Sequence, residues 1–116
     1  MAKWDTVPDG IVFGPHESIV DRARFGKQRC VYWITSHRII VSSVGHGHRM
    51  MTALVLADCT GVRVEVRKKF MKKESWITLF SKSGLVWEDE LTGKDSIQAA
   101  AWCARVSNLL ADRSSH

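Results

Sequence analysis

Val62, Val64 and Val66 alternate with Arg63, Glu65 and Arg67 in the run GVRVEVRK, the cleanest period-two pattern of the chain. Successive side chains of a strand point to opposite faces, so this run predicts a strand with one apolar side. Pro8 and Pro15 mark an irregular lead-in, after which ESIVDRAR predicts a short strand. FGK reads as a turn, because Gly26 tolerates positive φ. The runs from Arg29 to Thr35 and from Arg38 to Ser42 are rich in β-branched and aromatic residues and predict two further strands. Only Thr35, Ser36 and His37 separate them, which calls for a tight hairpin or a bulged corner. SVGHGHRM reads as a loop by its glycines, MTALVLADC as a buried strand ending at Asp58, and KKFMKKE as a basic loop. SWITLFS and LVWEDEL predict two strands joined at the hairpin signal SKSG. Trp76 alternates with Thr78 there and reads as a core residue.

The period changes at Asp95. Asp95 with Gln98 forms a capping-box-like pair. After it Ala99, Trp102, Cys103, Val106, Leu109 and Leu110 fall on one helical stripe, predicting an amphipathic helix over about 95–111. About seven short antiparallel strands and one helix make a definite combination. Such a sheet bends into two nearly orthogonal halves with an open corner, and an apolar helix face fills that corner. The expected fold class is α+β, mainly β: a seven-stranded bent antiparallel barrel or sandwich capped by one C-terminal helix. Trp102 is the natural plug.

Length and composition fit this picture. The chain has 116 residues, 45% hydrophobic and 25% charged, and reads as a single domain, 1–116. No apolar run approaches the roughly 20 residues of a membrane-spanning helix. MAKWDTVPDG lacks the apolar core of a signal peptide, which predicts a cytoplasmic protein. Cys30, Cys59 and Cys103 are odd in number and far apart, and read as buried thiols. His46 and His48 lie two residues apart in GHGH without a neighbouring Cys or carboxylate, so no metal is expected.

Charge adds the candidate chemistry. The net charge is +5, which favours anionic partners. RVEVRKKFMKKES, residues 63–75, holds six Lys or Arg against two Glu. DRARFGKQR, residues 21–29, carries Arg22, Arg24, Lys27 and Arg29 against one Asp. The stretch 88–95 is acidic through Glu88, Asp89, Glu90 and Asp95. No G-x-S-x-G, H-E-x-x-H or P-loop is present, so neither an enzyme nor a cofactor is expected. Ser36 beside His37 suggests a nucleophile and base, but neighbours on a strand point to opposite faces, and both read as polar turn residues. Phe70 and Trp76 beside basic residues could stack bases, yet no nucleic-acid motif accompanies them, and nucleic acid is not the expected partner.

VYWITSHRIIVSS resembles the second and third strands of the GRAM and GLUE branches of the pleckstrin-homology-like superfold. Tyr32, Thr35, Arg38, Ile39 and Ile40 fill the places of their L/Y-x-x-T/S-x-x-R-φ-φ pattern. The run from Trp4 through DGI to ESIV resembles the opening of the GLUE domain of the ESCRT-II subunit that recognises ubiquitinated cargo, with two extra residues between Trp4 and Gly10. SWITLFSKSG looks like its sixth strand. The resemblance implies a non-catalytic docking module of endosomal sorting, cytoplasmic and peripheral on the endosomal membrane, that binds acidic phospholipid, ubiquitin or both. It also implies two anion sites. Lys27 and Arg29 form a K-x-R step with Arg24 across the first turn, and Arg67, Lys68, Lys69, Lys72 and Lys73 occupy the connection between strands 5 and 6. Phe70 and Met71 at the tip of that connection are candidates for membrane insertion. The ubiquitin surface would lie near the helix end and strands 5 and 6. The alternatives are a purely protein-binding domain, like that of the TFIIH core subunit that binds acidic segments, and a bacterial oligomerising domain of the same superfold.

Overall fold

The computed structural model describes residues 11–27, 29–45 and 48–114; of 43–45, 48–50, 113 and 114 only the backbone is described. The resemblance read from Trp4 to Gly10, the potential ligand His46 and the side chain of His48 fall outside that description. Strands β1 (Ile19–Phe25), β2 (Cys30–Thr35), β3 (Arg38–Gly45) and β4 (His48–Val55) form one antiparallel sheet in that order. Strands β5 (Cys59–Lys69), β6 (Lys72–Ser81) and β7 (Gly84–Leu91) form a second. Helix α1 (Asp95–Ser114) follows. The helix is about one turn longer than the stripe predicts, because 111–114 continue the backbone after the last apolar position.

Two expectations about the connections are corrected. SVGHGHRM is not a loop outside the sheet: β3 and β4 run through it, with Ser43 opposite Met50 and Gly45 opposite His48. Gly45 is itself a paired residue of β3. MTALVLADC does not remain a strand to Asp58; β4 stops at Val55, and Leu56–Asp58 make a 3-10 turn that carries the chain into the second sheet.

The alternating pattern buries one face of each sheet. Tyr32, Ile34, Ile39 and Val41 from the first sheet meet Val62, Ile77 and Leu79 from the second. Ala99, Trp102, Cys103 and Val106 of α1 close the same cluster, with Leu109 and Leu110 packed against it. Trp102 is fully buried, its ring edge-on to Tyr32 at 5.1 Å and to Phe25 at 6.0 Å between centroids. Phe25 and Tyr32 stack at 4.1 Å, and the Tyr32 hydroxyl accepts a 3.0 Å bond from Trp87 Nε1. Burial raises the Tyr32 pKa and pushes the Cys103 thiol up to about 12. The cysteines form no disulfide; Cys30 and Cys103 are buried and Cys59 half-buried.

The TSHR step is a structural node. Thr35 Oγ1 accepts the N–H groups of His37 (3.1 Å) and Arg38 (2.8 Å) and donates to Glu17 Oε2 at 2.5 Å. Arg38 grips Glu17 in a fork, Nε to Oε2 at 2.9 Å and Nη2 to Oε1 at 2.8 Å. The Arg38 guanidinium beside it, helped by the Thr35 hydroxyl and the Gly14 N–H, holds the Glu17 carboxyl at about 2, well below its ordinary 4.5.

Truncating Trp102 to Ala removes the largest buried side chain and should cost about 3–5 kcal/mol in chemical denaturation. Glu17→Gln should cost about 2–3 kcal/mol near neutral pH, by leaving Arg38 without its counter-charge. The carboxylate contributes fully above pH 4.5, and that contribution is lost as pH falls towards 2. Denaturation of the Gln variant between those pH values should therefore show a flatter pH dependence than the parent.

Candidate functional site

Strand β7 ends opposite β6 at the pair Leu91 with Ser75. Beyond it only β5 and β6 continue, through Arg67 with Glu74, Lys68 with Lys73 and Lys69 with Lys72. These rungs form a two-stranded ribbon that overhangs the sheet by about 10 Å at the usual rise per residue. KKFMKKE is thus a ladder closed by Phe70 and Met71, not an open loop. Phe70 is 95% exposed and Met71 fully so, which rules out packing of Phe70 on its own sheet.

The tip breaks several local rules at once. Phe70 takes φ 57, the left-handed region where glycine and asparagine are at home and a bulky residue is strained by about 1–2 kcal/mol. Like charges face each other directly at Lys68 with Lys73 and Lys69 with Lys72, a destabilising arrangement in a sheet. A large apolar pair stands in water where the fold asks only for a turn. Departures of this kind that gain the fold nothing concentrate at functional sites. Chemically, the tip is an apolar wedge inside a collar of ammonium groups.

Arg67 does not join that collar. Its guanidinium lies over the Trp76 ring at 4.6 Å and pairs with Glu88 at 2.8 Å and Glu65 at 3.3 Å. Hydrogen bonding to Glu88 raises its pKa further. Trp76 is consequently corrected from a core residue to one on the outer face: β6 sends Ile77 and Leu79 inward, and Trp76 sits beneath Arg67. The alternation holds with the opposite phase: Thr78 shares the outer face with Trp76, where it is buried and donates to the Arg63 carbonyl.

The first turn is more occupied than its K-x-R step suggests. Gly26 donates its N–H to Asp95 Oδ2 at 3.1 Å, and Lys27 donates its N–H to the Glu90 carbonyl at 2.8 Å. Lys27 Nζ lies 3.8 Å from Glu90, while Arg29 takes φ 56 with its side chain exposed. Asp95 therefore binds this turn and Thr92 Oγ1, which differs from the expected capping box with Gln98. Gly26 has φ 96, and a Cβ there would strike the Asp89 carboxylate, so only glycine fits. Arg24 lines a cleft with Arg22, counted among the cations of 21–29 but assigned to no site by the sequence, and with Arg105 of the helix. The available signal was the spacing of Arg22 and Arg24, which places both on one strand face.

Ser36 Oγ lies 2.8 Å from His37 Nδ1, so the opposite-faces argument fails: both residues sit in the β2–β3 turn, off the strands. The same hydroxyl accepts the Ser18 N–H at 3.1 Å, and the Ser36 N–H donates to the Ser18 carbonyl. These bonds tie the lead-in segment to the corner. Among the described residues no group of three or more His, Cys, Asp or Glu side chains could hold a metal ion. No described helix is long and apolar enough to cross a membrane.

A bent pair of antiparallel sheets with a C-terminal helix in its corner has a counterpart among solved structures. The Vps36 N-terminal PH domain matches with a TM-score of 0.58 and 17% sequence identity, over 90% of this chain and 87% of that one. The chain has a pleckstrin-homology-like fold. No family model and no curated protein matches it. Within this PH-like fold the ribbon tip of β5 and β6 combines left-handed strain, facing like charges and exposed apolar side chains. Phe70→Gly should therefore raise stability by about 1 kcal/mol in urea denaturation, by relieving the left-handed strain.

Proposed function

We propose that this PH-like domain is a non-catalytic docking module that seats its β5–β6 ribbon on acidic membranes. Phe70 and Met71 enter the headgroup–acyl boundary, and Lys68, Lys69, Lys72 and Lys73 meet lipid phosphates. The observation that carries this reading is the exposed Phe70, held in a strained backbone conformation between rungs of paired lysines. A basic residue near an anionic surface contributes about 1 kcal/mol, so four make a weak but real attachment to which the apolar tip adds. Lys27 and Arg29 at the first turn supply further positive charge, partly offset by Glu90. Arg67 acts indirectly, by bracing the root of the ribbon against Glu88.

The fold likeness to the Vps36 domain supports a binding role, and the ribbon supports lipid over ubiquitin as the partner. Val106 is buried, and Leu109 and Leu110 pack against the core, so the apolar stripe at the helix end is already covered. Residence at endosomes would follow from headgroup preference, which vesicles of defined composition measure directly.

Co-sedimentation with phosphatidylserine and phosphatidylinositol 3-phosphate vesicles should show binding that weakens with salt. Joint replacement of Phe70 and Met71 by Ser should lower it roughly tenfold, and Lys68→Glu with Lys69→Glu should abolish it. Both variants should keep the parent circular dichroism. Equal binding to neutral phosphatidylcholine, or unaltered binding by the variants, would remove the membrane reading.

A further inference from the structure

The two residues at the ribbon tip differ in chemistry. Phe70 ends in a hydrocarbon ring, whereas Met71 carries a thioether, which oxidants convert to a sulfoxide. Met71 is fully exposed, so its sulfur packs against nothing and a change in its polarity leaves the core intact. Met51, by comparison, lies in β4 opposite Ser42 and is only 38% exposed. The thiols compete poorly. Cys30 and Cys103 are buried and Cys59 is half-buried. Burial raises the pKa of Cys59 and of Cys103, which holds both away from the reactive thiolate form. Among the described side chains, Met71 is therefore the sulfur that a dissolved oxidant reaches first.

Its position gives the modification a consequence. Met71 follows the strained Phe70 in the turn between Lys69 and Lys72, at the far end of a ribbon that β7 does not reach. A methionine that packs in a core unsettles the fold when it is oxidised. Here no core contact is at stake, so oxidation alters what the tip can enter and nothing else. A sulfoxide is polar and resists transfer into an acyl layer. The exposure that admits an oxidant also admits the enzymes that reduce sulfoxides.

We propose that Met71 is a reversible oxidation site that loosens the ribbon from acidic membranes. The reaction is oxygen transfer from a peroxide. A sulfur lone pair attacks one peroxide oxygen, and the O–O bond breaks as the S–O bond forms. The leaving hydroxide takes the proton from the transferred oxygen and departs as water. Sulfur is oxidised by two electrons and the peroxide is reduced by two. Thiol-dependent sulfoxide reductases reverse the change: two thiols become a disulfide, and the sulfoxide oxygen leaves as water. This inference rests on the membrane reading, because the apolar tip is what oxidation removes. Seating on a membrane in turn withdraws Met71 from the dissolved oxidant, so bound chains oxidise more slowly than free ones.

The test treats the full chain with dilute hydrogen peroxide near neutral pH and follows oxidation by peptide mass mapping. Met71 should gain an oxygen before Met51 does. Co-sedimentation with phosphatidylserine vesicles should then weaken roughly threefold, about half of the free-energy loss expected for the double Ser variant. The circular dichroism should not change. Binding should return after treatment with the two epimer-specific methionine sulfoxide reductases and dithiothreitol. Met51→Leu should lose binding on peroxide treatment as the parent does, and Met71→Leu should bind equally before and after it. Saturating vesicles should slow oxidation at Met71 and not at Met51. An untreated chain that fails to pellet with the vesicles removes the membrane reading, and this inference with it. Where the untreated chain does pellet, full binding by the Met71 sulfoxide overturns the switch alone. So does oxidation of Met51 ahead of Met71, or loss of binding in peroxide-treated Met71→Leu.

Discussion

Trp102 is the piece on which the architecture depends. Two curved sheets that meet at an angle cannot close on each other, and the gap between them is lined by apolar side chains. The indole fills that gap by setting its edge against the stacked rings of Phe25 and Tyr32. Through them it touches the turn end of β1 and the start of β2, and it holds α1 across the second sheet. The rest of the helix face, Ala99 and Val106 above all, follows from seating that ring. The placement of the β1–β2 turn follows too, since Gly26 is drawn between Asp89 and the first residue of α1.

A second tie works at the opposite end of β2. The pattern that suggests the superfold, Thr35 with Arg38, is not a ligand site but a corner brace. Thr35 closes the turn on itself, and Arg38 reaches over to fix Glu17 and the Val12 carbonyl. Glu17 has a side chain only 4% exposed, and its charge is tolerated because its donors are in place. A short polar step between two apolar runs is thus explained by packing: it is where a hairpin turns and a lead-in segment must be fastened.

The chain spells out its fold more plainly than its site. The valine alternation in β5 and the helical stripe after Asp95 are periodic signals, and both elements form where they fall. Val66 shows the limit of such signals. It continues the apolar row of Val62 and Val64 yet is 67% exposed, because it lies on the last three-stranded rung, level with Ser75 and Leu91, where β5 has passed the end of the core cluster. Periodicity reports which residues share a face, not whether that face meets anything. Trp76 shows the same limit: a large ring in an alternating run can lie half-buried on the outer face, under a single guanidinium, and not in the core. The lysines around Phe70 were readable as a cluster, but their cross-strand pairing depends on the register, which sequence spacing alone does not reveal. Arg22 and Arg105 stand 83 positions apart (105 − 22) and meet only through the antiparallel run of β1 and α1.

The overhang of β5 and β6 carries an evolutionary corollary. Its last rungs lie past the end of β7 and outside the core cluster, so exchanges at 68–73 leave the core untouched. A lineage can lengthen, recharge or blunt this paddle by point changes while the barrel stays constant. Divergence in what such domains hold on to is then to be sought at the paddle, even between chains whose shapes superpose along nearly their whole length.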